Sequence, residues 1–409
     1  MNSLYKDFRF RSILVANIAS SIGSGITMIA IPWLLVTSEN GSSLFGYITL
    51  IMTMVNFVIT PSIGLLIDKW SRKSILLAGE IFGFIMLVAF AGSGLVGGAY
   101  ETWHLIVLYF TGSLYYTLFY PTMFAFNQEI FEKRQYKALN GMMEVQGQLS
   151  SMIAGAVASF LMIKVELQWI LLLDAFTYLI AIYYFIRIPY QRLMQEKNKE
   201  DFSGKMTAGF RFMSKKPTMF LFLIASVMPF IGVMMTNYLF PVYLSEVLKA
   251  DASVYGMESM IYGMGAMIAG MLIPLVAKKI GNEKTMVLTV FCYTLFISLI
   301  IWVSLPIYLG FMFFIAIGNS GVRVARNSFM MDHIPNEIIG RIDSLFRAIG
   351  LAFRIILLIV FTNLAATGVV LSFGILSIMM ILASVTIFFS WKRLWRDENV
   401  GVLGQSTTI

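Results

Sequence analysis

Residues 64–73 read Gly-Leu-Leu-Ile-Asp-Lys-Trp-Ser-Arg-Lys, and an apolar run lies on either side of them, over 44–67 and 74–98. Each run is long enough to cross a hydrocarbon layer, which takes about 20 residues at ~1.5 Å per residue. The break between them carries one acid, Asp68, and three bases, Lys69, Arg72 and Lys73. An acid at a helix end can hold basic side chains or the N-terminus of a neighbouring helix. Gly64, one turn before the acid, is small enough to let two helices approach closely.

The same alternation of apolar run and polar break extends through all 409 residues. AVILMFWYC make up 58% of the chain, against roughly 45–50% (glycine included) in a soluble domain, and only 13% of residues are charged, against roughly 25%. Too few polar side chains are present to cover such a chain in water, which excludes a soluble enzyme, a DNA-binding module and a disordered scaffold. Cys292 is the only cysteine, and His104 and His333 are the only histidines. No C-x-x-C or H-E-x-x-H pattern exists, and neither a metal centre nor a cofactor is expected.

Twelve spans are predicted, near 12–36, 44–67, 74–98, 102–127, 139–163, 167–187, 218–244, 254–277, 285–304, 306–330, 342–366 and 368–391. The first is too long, and lacks the small-residue cleavage site, to be a signal peptide. Alternating the breaks between two sides places 23 of the 30 Lys and Arg on one side, while the other keeps Lys164 and Lys249. The remaining five, Arg323, Arg326, Arg341, Arg347 and Arg354, flank or enter spans ten and eleven. By the positive-inside rule the rich side, with both termini, is cytoplasmic. The net charge of +8 therefore reads as topology and attraction to the lipid bilayer, and no nucleic acid is expected as a partner.

The longest polar interval, Arg187 to Lys216, falls between spans six and seven. The expected organisation is a six-helix bundle over 1–190, a cytoplasmic linker over 191–216, a second six-helix bundle over 217–396 and a cytoplasmic tail over 397–409. Two joined six-span halves suit an alternating-access transporter. The loops show no Ser/His/Asp or paired-carboxylate arrangement, so an enzyme is not expected. No P-loop (G-x-x-x-x-G-K-[ST]) is present, which leaves an ion gradient as the energy source.

The 64–73 stretch resembles the G-x-x-x-D-[RK]-x-[GS]-[RK]-[RK] loop of the major facilitator superfamily and sits where that family carries it. In the second half, Pro274 to Glu283 occupies the corresponding loop, with Lys278 where Asp68 stands in the first. Three more stretches resemble the branch containing macrolide-efflux proteins and the enterobactin exporter: Phe119-Tyr120-Pro121-Thr122 leading to Ala138-Leu139-Asn140; Leu173-Asp174-Ala175-Phe176-Thr177-Tyr178; and Ile334-Pro335-Asn336-Glu337 with Gly340-Arg341-Ile342. The resemblance implies an all-α membrane protein of twelve transmembrane helices in two bundles. It gives Gly64, Asp68, Lys69, Arg72 and Lys73 the role of a conformational gate. Export-type members commonly carry Gly-Pro in span five; here Ala154-Gly155-Ala156-Val157 stands at that position.

A charge inside the hydrocarbon costs roughly 3 kcal/mol on insertion scales, so each one is a candidate for function. Glu144 in span five and Asp174 in span six are the proton-coupling candidates. Glu144 also fits a wet helix end, and Asp174 a structural hydrogen bond to the neighbouring bundle. Glu80 in span three is expected to make a similar structural hydrogen bond, its position allowing interaction with the Asp68 loop. Arg347 and Arg354 share a helix face with Asp343 one turn before Arg347, and Arg323 and Arg326 share another. These four arginines are candidates for a substrate cavity that receives anionic groups, because guanidinium pairs bidentately with carboxylates. Tyr109, Tyr116 and Tyr120 lie on one face of span four, which lines the cavity in the resembling fold. Asn17, Ser20, Ser24 and Thr27 form a polar stripe on span one, and Asn237 lies between two prolines in span seven. Asn17 and Asn237 join the cavity candidates, their stripes facing a wet interior.

The expected protein is a secondary transporter of the bacterial plasma membrane that exports a small amphipathic organic molecule, of antibiotic or siderophore type, against proton entry. The arginines favour an anionic substrate, and no obligatory protein partner is evident. An uptake symporter for an anionic nutrient and a non-transporting membrane sensor are the alternatives.

Overall fold

Three helices of the first half begin where a side chain supplies an acceptor for their first free N–H groups. In the computed structural model Asp7 caps helix α1 (Phe8–Val36) by accepting from the Arg9 backbone N–H at 2.8 Å. Helix α2 (Gly41–Lys69) ends at the motif, and Ser71 then caps α3 (Arg72–Leu95) by accepting from Ser74 N–H. Glu101 and His104 close a reciprocal capping box at the start of α4 (Thr102–Ile130). Helices α5 (Tyr136–Lys164) and α6 (Leu167–Arg187) complete the first half. The second half holds α7 (Pro217–Glu246), α8 (Ala252–Ile280), α9 (Asn282–Leu299), α10 (Leu305–His333), α11 (Asn336–Ala365) and α12 (Val369–Ser406). Gly281, at φ +89, makes the one-residue break between α8 and α9, a backbone shape that suits glycine.

The structure describes residues 6–132, 135–191, 210–334, 336–365 and 368–406, with the side chains of Asp68, Ala138, Asn140, Asn336, Glu337, Gly340, Arg341 and 395–406, among a few others, left outside. The twelve helices coincide with the twelve expected spans. Eleven of the described helices are long and apolar enough to cross a membrane; α4 is the exception. Its length is ample, but His104, four tyrosines, Asn127, Gln128 and Glu129 dilute its apolar character. Within the expected linker, 192–209 lie outside the described residues and 210–214 are helical.

By spatial proximity the chain divides into two units, Met1–Glu196 with Phe240–Met264, and Lys197–Leu239 with Gly265–Ile409. In the first unit, α1 packs against α4, α5 and α6, and α3 against α4 and α6. In the second, α9 packs against α10 and α12. Large apolar side chains such as Val58, Phe160, Ile378 and Leu382 point outward, as a chain surrounded by hydrocarbon requires.

Candidate functional site

The break Trp70-Ser71 places Arg72 and Lys73 in the first turn of α3. Arg72 Nη1 lies 3.0 Å from Glu129 Oε2 near the end of α4 and donates to the Ala125 carbonyl at 3.3 Å. Tyr190, just beyond α6, donates its hydroxyl to the same Glu129 oxygen at 2.6 Å. Lys73 Nζ donates to the Ile186 and Ile188 carbonyls at 2.9 and 2.8 Å, meeting the electronegative end of α6. Two bases of the motif therefore bind α3 to the ends of α4 and α6. Burial, with the Glu129 carboxylate beside it, pushes the Tyr190 hydroxyl up, so it remains a donor. The Asp68 side chain lies outside the described residues, and Lys69 is exposed. A Cβ at Gly64 would meet no atom within 4 Å, so its small size serves no close approach in this structure. Glu129 and Tyr190 were not among the sequence candidates; nothing in one sequence pairs an acid on α4 with a base on α3.

The stripe on α1 does not line a wet interior. Asn17, Ser20, Ser24 and Thr27 are all 5% exposed or less, turned into their own bundle. Asn17 Nδ2 meets Met143 Sδ on α5, Ser24 Oγ shares a 2.7 Å hydrogen bond with the Tyr116 hydroxyl on α4, and Thr27 donates to Asp174 Oδ2 on α6 at 2.6 Å. Asp174 therefore bonds within its own bundle, contrary to the expectation of a contact to the neighbouring one. Thr177 also donates to it, at 3.4 Å. Gly23 makes this approach possible: a Cβ there would lie 2.6 Å from Asp174 Oδ1 and closer still to Thr177 Oγ1.

Glu80 makes a structural hydrogen bond, as expected, but with a different partner. It is fully buried, two turns inside α3, and accepts from the Tyr115 hydroxyl on α4 at 2.9 Å instead of reaching the Asp68 loop. The legible signal was Gly83, one turn away on the same face, where a Cβ would lie 2.9 Å from the Tyr178 ring of α6. Glu144, the other proton-coupling candidate, is exposed and accepts from Gln148 one turn on, so it is not brought to Asp174.

Of the span-four tyrosines, Tyr116 and Tyr120 stack at 5.5 Å with the Tyr120 ring 63% exposed, whereas Tyr109 packs edge-on against Phe45 of α2. In the second unit Asn237 is exposed. Arg347 pairs with Asp343 on its own helix at 2.7 Å, Arg326 donates to the Ser226 carbonyl at 3.4 Å, and Asp343, Arg323 and Arg347 all act electrostatically on Arg326. Arg347 is thus the arginine paired with Asp343, Arg326 feels that acid and both neighbouring arginines, and Arg354 stands two turns further along α11. Arg354 and Arg323 are partly buried and engaged.

Within the first unit, α5 meets the beginning of α8 backbone to backbone. A Cβ at Gly155 would lie 2.5 Å from Met260 N and 2.8 Å from the Gly256 carbonyl, and one at Gly263 would lie 3.0 Å from Met152 N. Glycine alone fits at 155, so the departure from Gly-Pro in span five leaves the glycine in use. Trp33 of α1 stacks on Tyr255 of α8 at 5.9 Å in the same region.

Twelve long helices in two six-helix bundles, with ionisable groups held inside them, define a multi-pass transporter. Residues 13–356 match the Major Facilitator Superfamily, and the chain belongs to that family. It is 23% identical to macrolide efflux protein A of Streptococcus pyogenes over 350 residues, covering 82% of this chain and 84% of that protein. Among solved structures, a point mutant of the nucleoside transporter NupG (TM-score 0.71, 13% identity) covers 94% of this chain and 100% of its own. A bacterial homologue of the iron transporter ferroportin in its inward-facing state (TM-score 0.71, 14% identity) covers 93% and 98%. The D-xylose-proton symporter (TM-score 0.67, 13% identity) covers 93% and 97%. At these identities the structures share the fold.

Proposed function

We propose that this transporter exports a small amphipathic organic molecule across the bacterial plasma membrane, driven by proton entry, with both termini cytoplasmic. The observation that carries the reading is the likeness to an efflux protein over more than four fifths of both chains. Carboxyls buried inside the first bundle, Asp174 foremost, support proton coupling, because a membrane-embedded acid is costly unless it serves transport or structure. Aromatic faces at Tyr116 and Tyr120 suit a planar or ring-bearing substrate. The arginines of α10 and α11, Arg323, Arg326, Arg347 and Arg354, support an acidic one, although Asp343 already answers Arg347.

The test compares accumulation of a panel of macrolides, siderophores and acidic peptides in cells lacking and overproducing the protein. Lower accumulation on overproduction, abolished by a proton uncoupler, is expected; raised accumulation would favour uptake instead. For substrate charge, binding of an acidic member and its methyl ester is compared in wild type and Arg354→Gln. A selective loss for the acid is expected, and an equal loss for both overturns the anionic reading.

A further inference from the structure

Glu80 and Asp174 are two acids inside one bundle with no cation beside either among the described residues. Glu80 is 0% and Asp174 2% exposed, and among the described residues neither forms an ion pair. The groups that face Glu80 are the Tyr115 hydroxyl from α4 and, from α6, Tyr178 and Asp174 itself. Those facing Asp174 are Thr27 from α1 and Thr177, Tyr178 and Tyr116 around it. None is a base. Glu80 Oε1 accepts from Tyr115, whereas Glu80 Oε2 is buried with no hydrogen-bond partner. An ionised carboxylate in that setting would leave a full charge in hydrocarbon with one of its oxygens unanswered.

The two acids are joined through α1. Tyr115, whose hydroxyl meets Glu80, also faces Ser20 Oγ. One and two turns further along α1, Ser24 binds Tyr116 and Thr27 binds Asp174. The α1 hydroxyls thus run from one acid to the other, with tyrosines of α4 between.

We propose that Glu80 is a second proton-binding site of the first bundle, paired with Asp174 along the hydroxyls of α1. The inference rests on the reading that transport is proton-driven, and assigns that reading two carboxyls in place of one. In the arrangement seen, Glu80 carries its proton on Oε2. Release gives the Oε2 proton to water admitted as the bundle rearranges, and Tyr115 keeps its own hydroxyl proton, donated to Oε1, throughout. Rebinding runs in reverse, and the charge left on Glu80 meanwhile is held by the Tyr115 hydroxyl.

Infrared spectra of the whole protein in lipid nanodiscs, titrated from mildly acidic to mildly alkaline pH, read the carbonyl stretch of protonated carboxyls directly. Two such bands from buried acids are expected, one lost in Glu80→Gln and the other in Asp174→Asn. Tyr115→Phe, which leaves the acid in place, should shift the Glu80 band. If Glu80→Gln removes no protonated-carboxyl signal at any pH, the proposal is overturned. If that variant does not fold, an unshifted spectrum in Tyr115→Phe overturns it equally. A parallel measurement in inverted vesicles follows radiolabelled erythromycin driven by a pH gradient. Failure of the wild type there counts against proton-driven export while the infrared result still stands. A wild type that accumulates the probe, with an equally active Glu80→Gln, counts against the second site.

Discussion

Arg72 and Glu129 form an ion pair at 3.0 Å in which the side chains are only 11% and 3% exposed. Removing one partner of a buried pair leaves the other uncompensated and costs roughly 3–5 kcal/mol, whereas removing both costs far less. Glu129→Gln should therefore lower the thermal stability of the purified protein clearly, and Arg72→Gln added to it should recover part of the loss. Tyr190→Phe removes one hydrogen bond to the same carboxylate and should cost about 1 kcal/mol. Melting curves of the single and double variants check all three, and additive losses would show that the pair is not coupled.

Asp68→Asn should reduce transport severely at unchanged membrane insertion, because its neighbours Arg72 and Lys73 already hold α3 to α4 and α6 without it. Efflux measured at matched protein level decides this, and wild-type flux in the variant would remove Asp68 from the gate.

Gly155→Ala should cost about 1–3 kcal/mol by overpacking, since the new methyl group meets backbone atoms of α8 that cannot turn aside. Transport should fall more than stability does, because the α5–α8 approach seen here would no longer form. Gly147→Ala on the same helix, where a Cβ would meet nothing within 4 Å, is the control and should leave both unchanged apart from helix propensity.

The hydrogen bond from Arg9 holds the Asp7 carboxyl below its ordinary value. A depressed carboxyl stabilises the folded state above its unfolded pKa and loses that contribution as pH falls through the lower folded value. Asp7→Ala should thus cost about 1 kcal/mol at neutral pH through the lost cap, reduced by solvent at this partly exposed site, and the difference from wild type should shrink in acid. Thermal melts at neutral and strongly acidic pH give the comparison.

The helices were readable because hydrocarbon imposes length and apolarity on any segment that crosses it, and Asp7, Ser71 and Glu101 mark where three of them begin. Even α4 was recognisable despite tyrosines that dilute it. The partners of its polar residues were not. Helical spacing correctly put Tyr116 and Tyr120 together, since both lie on one helix, but it grouped Tyr109 with them although Phe45 of α2 takes that ring. The stripe at 17, 20, 24 and 27 was visible as a stripe, yet its direction depended on α4, α5 and α6 presenting Met143, Tyr116 and Asp174 at matching heights. Register between separate helices is a property of packing, and periodicity along one chain segment carries no record of it. Glu80 was misdirected for the same reason: proximity to the motif in sequence suggested a loop partner, while two helical turns had already carried it into the bundle.

Gly23 has a consequence for how this sequence can drift. Its missing side chain is the space that Asp174 and Thr177 occupy, so positions 23, 174 and 177 cannot vary one at a time. A descendant that acquires alanine at 23 must make room at 177 and at 174 together, since the new carbon would meet Thr177 Oγ1 even once the acid is gone. Across diverging lineages these three sites, 154 residues apart at their extremes, should change as a single inherited character.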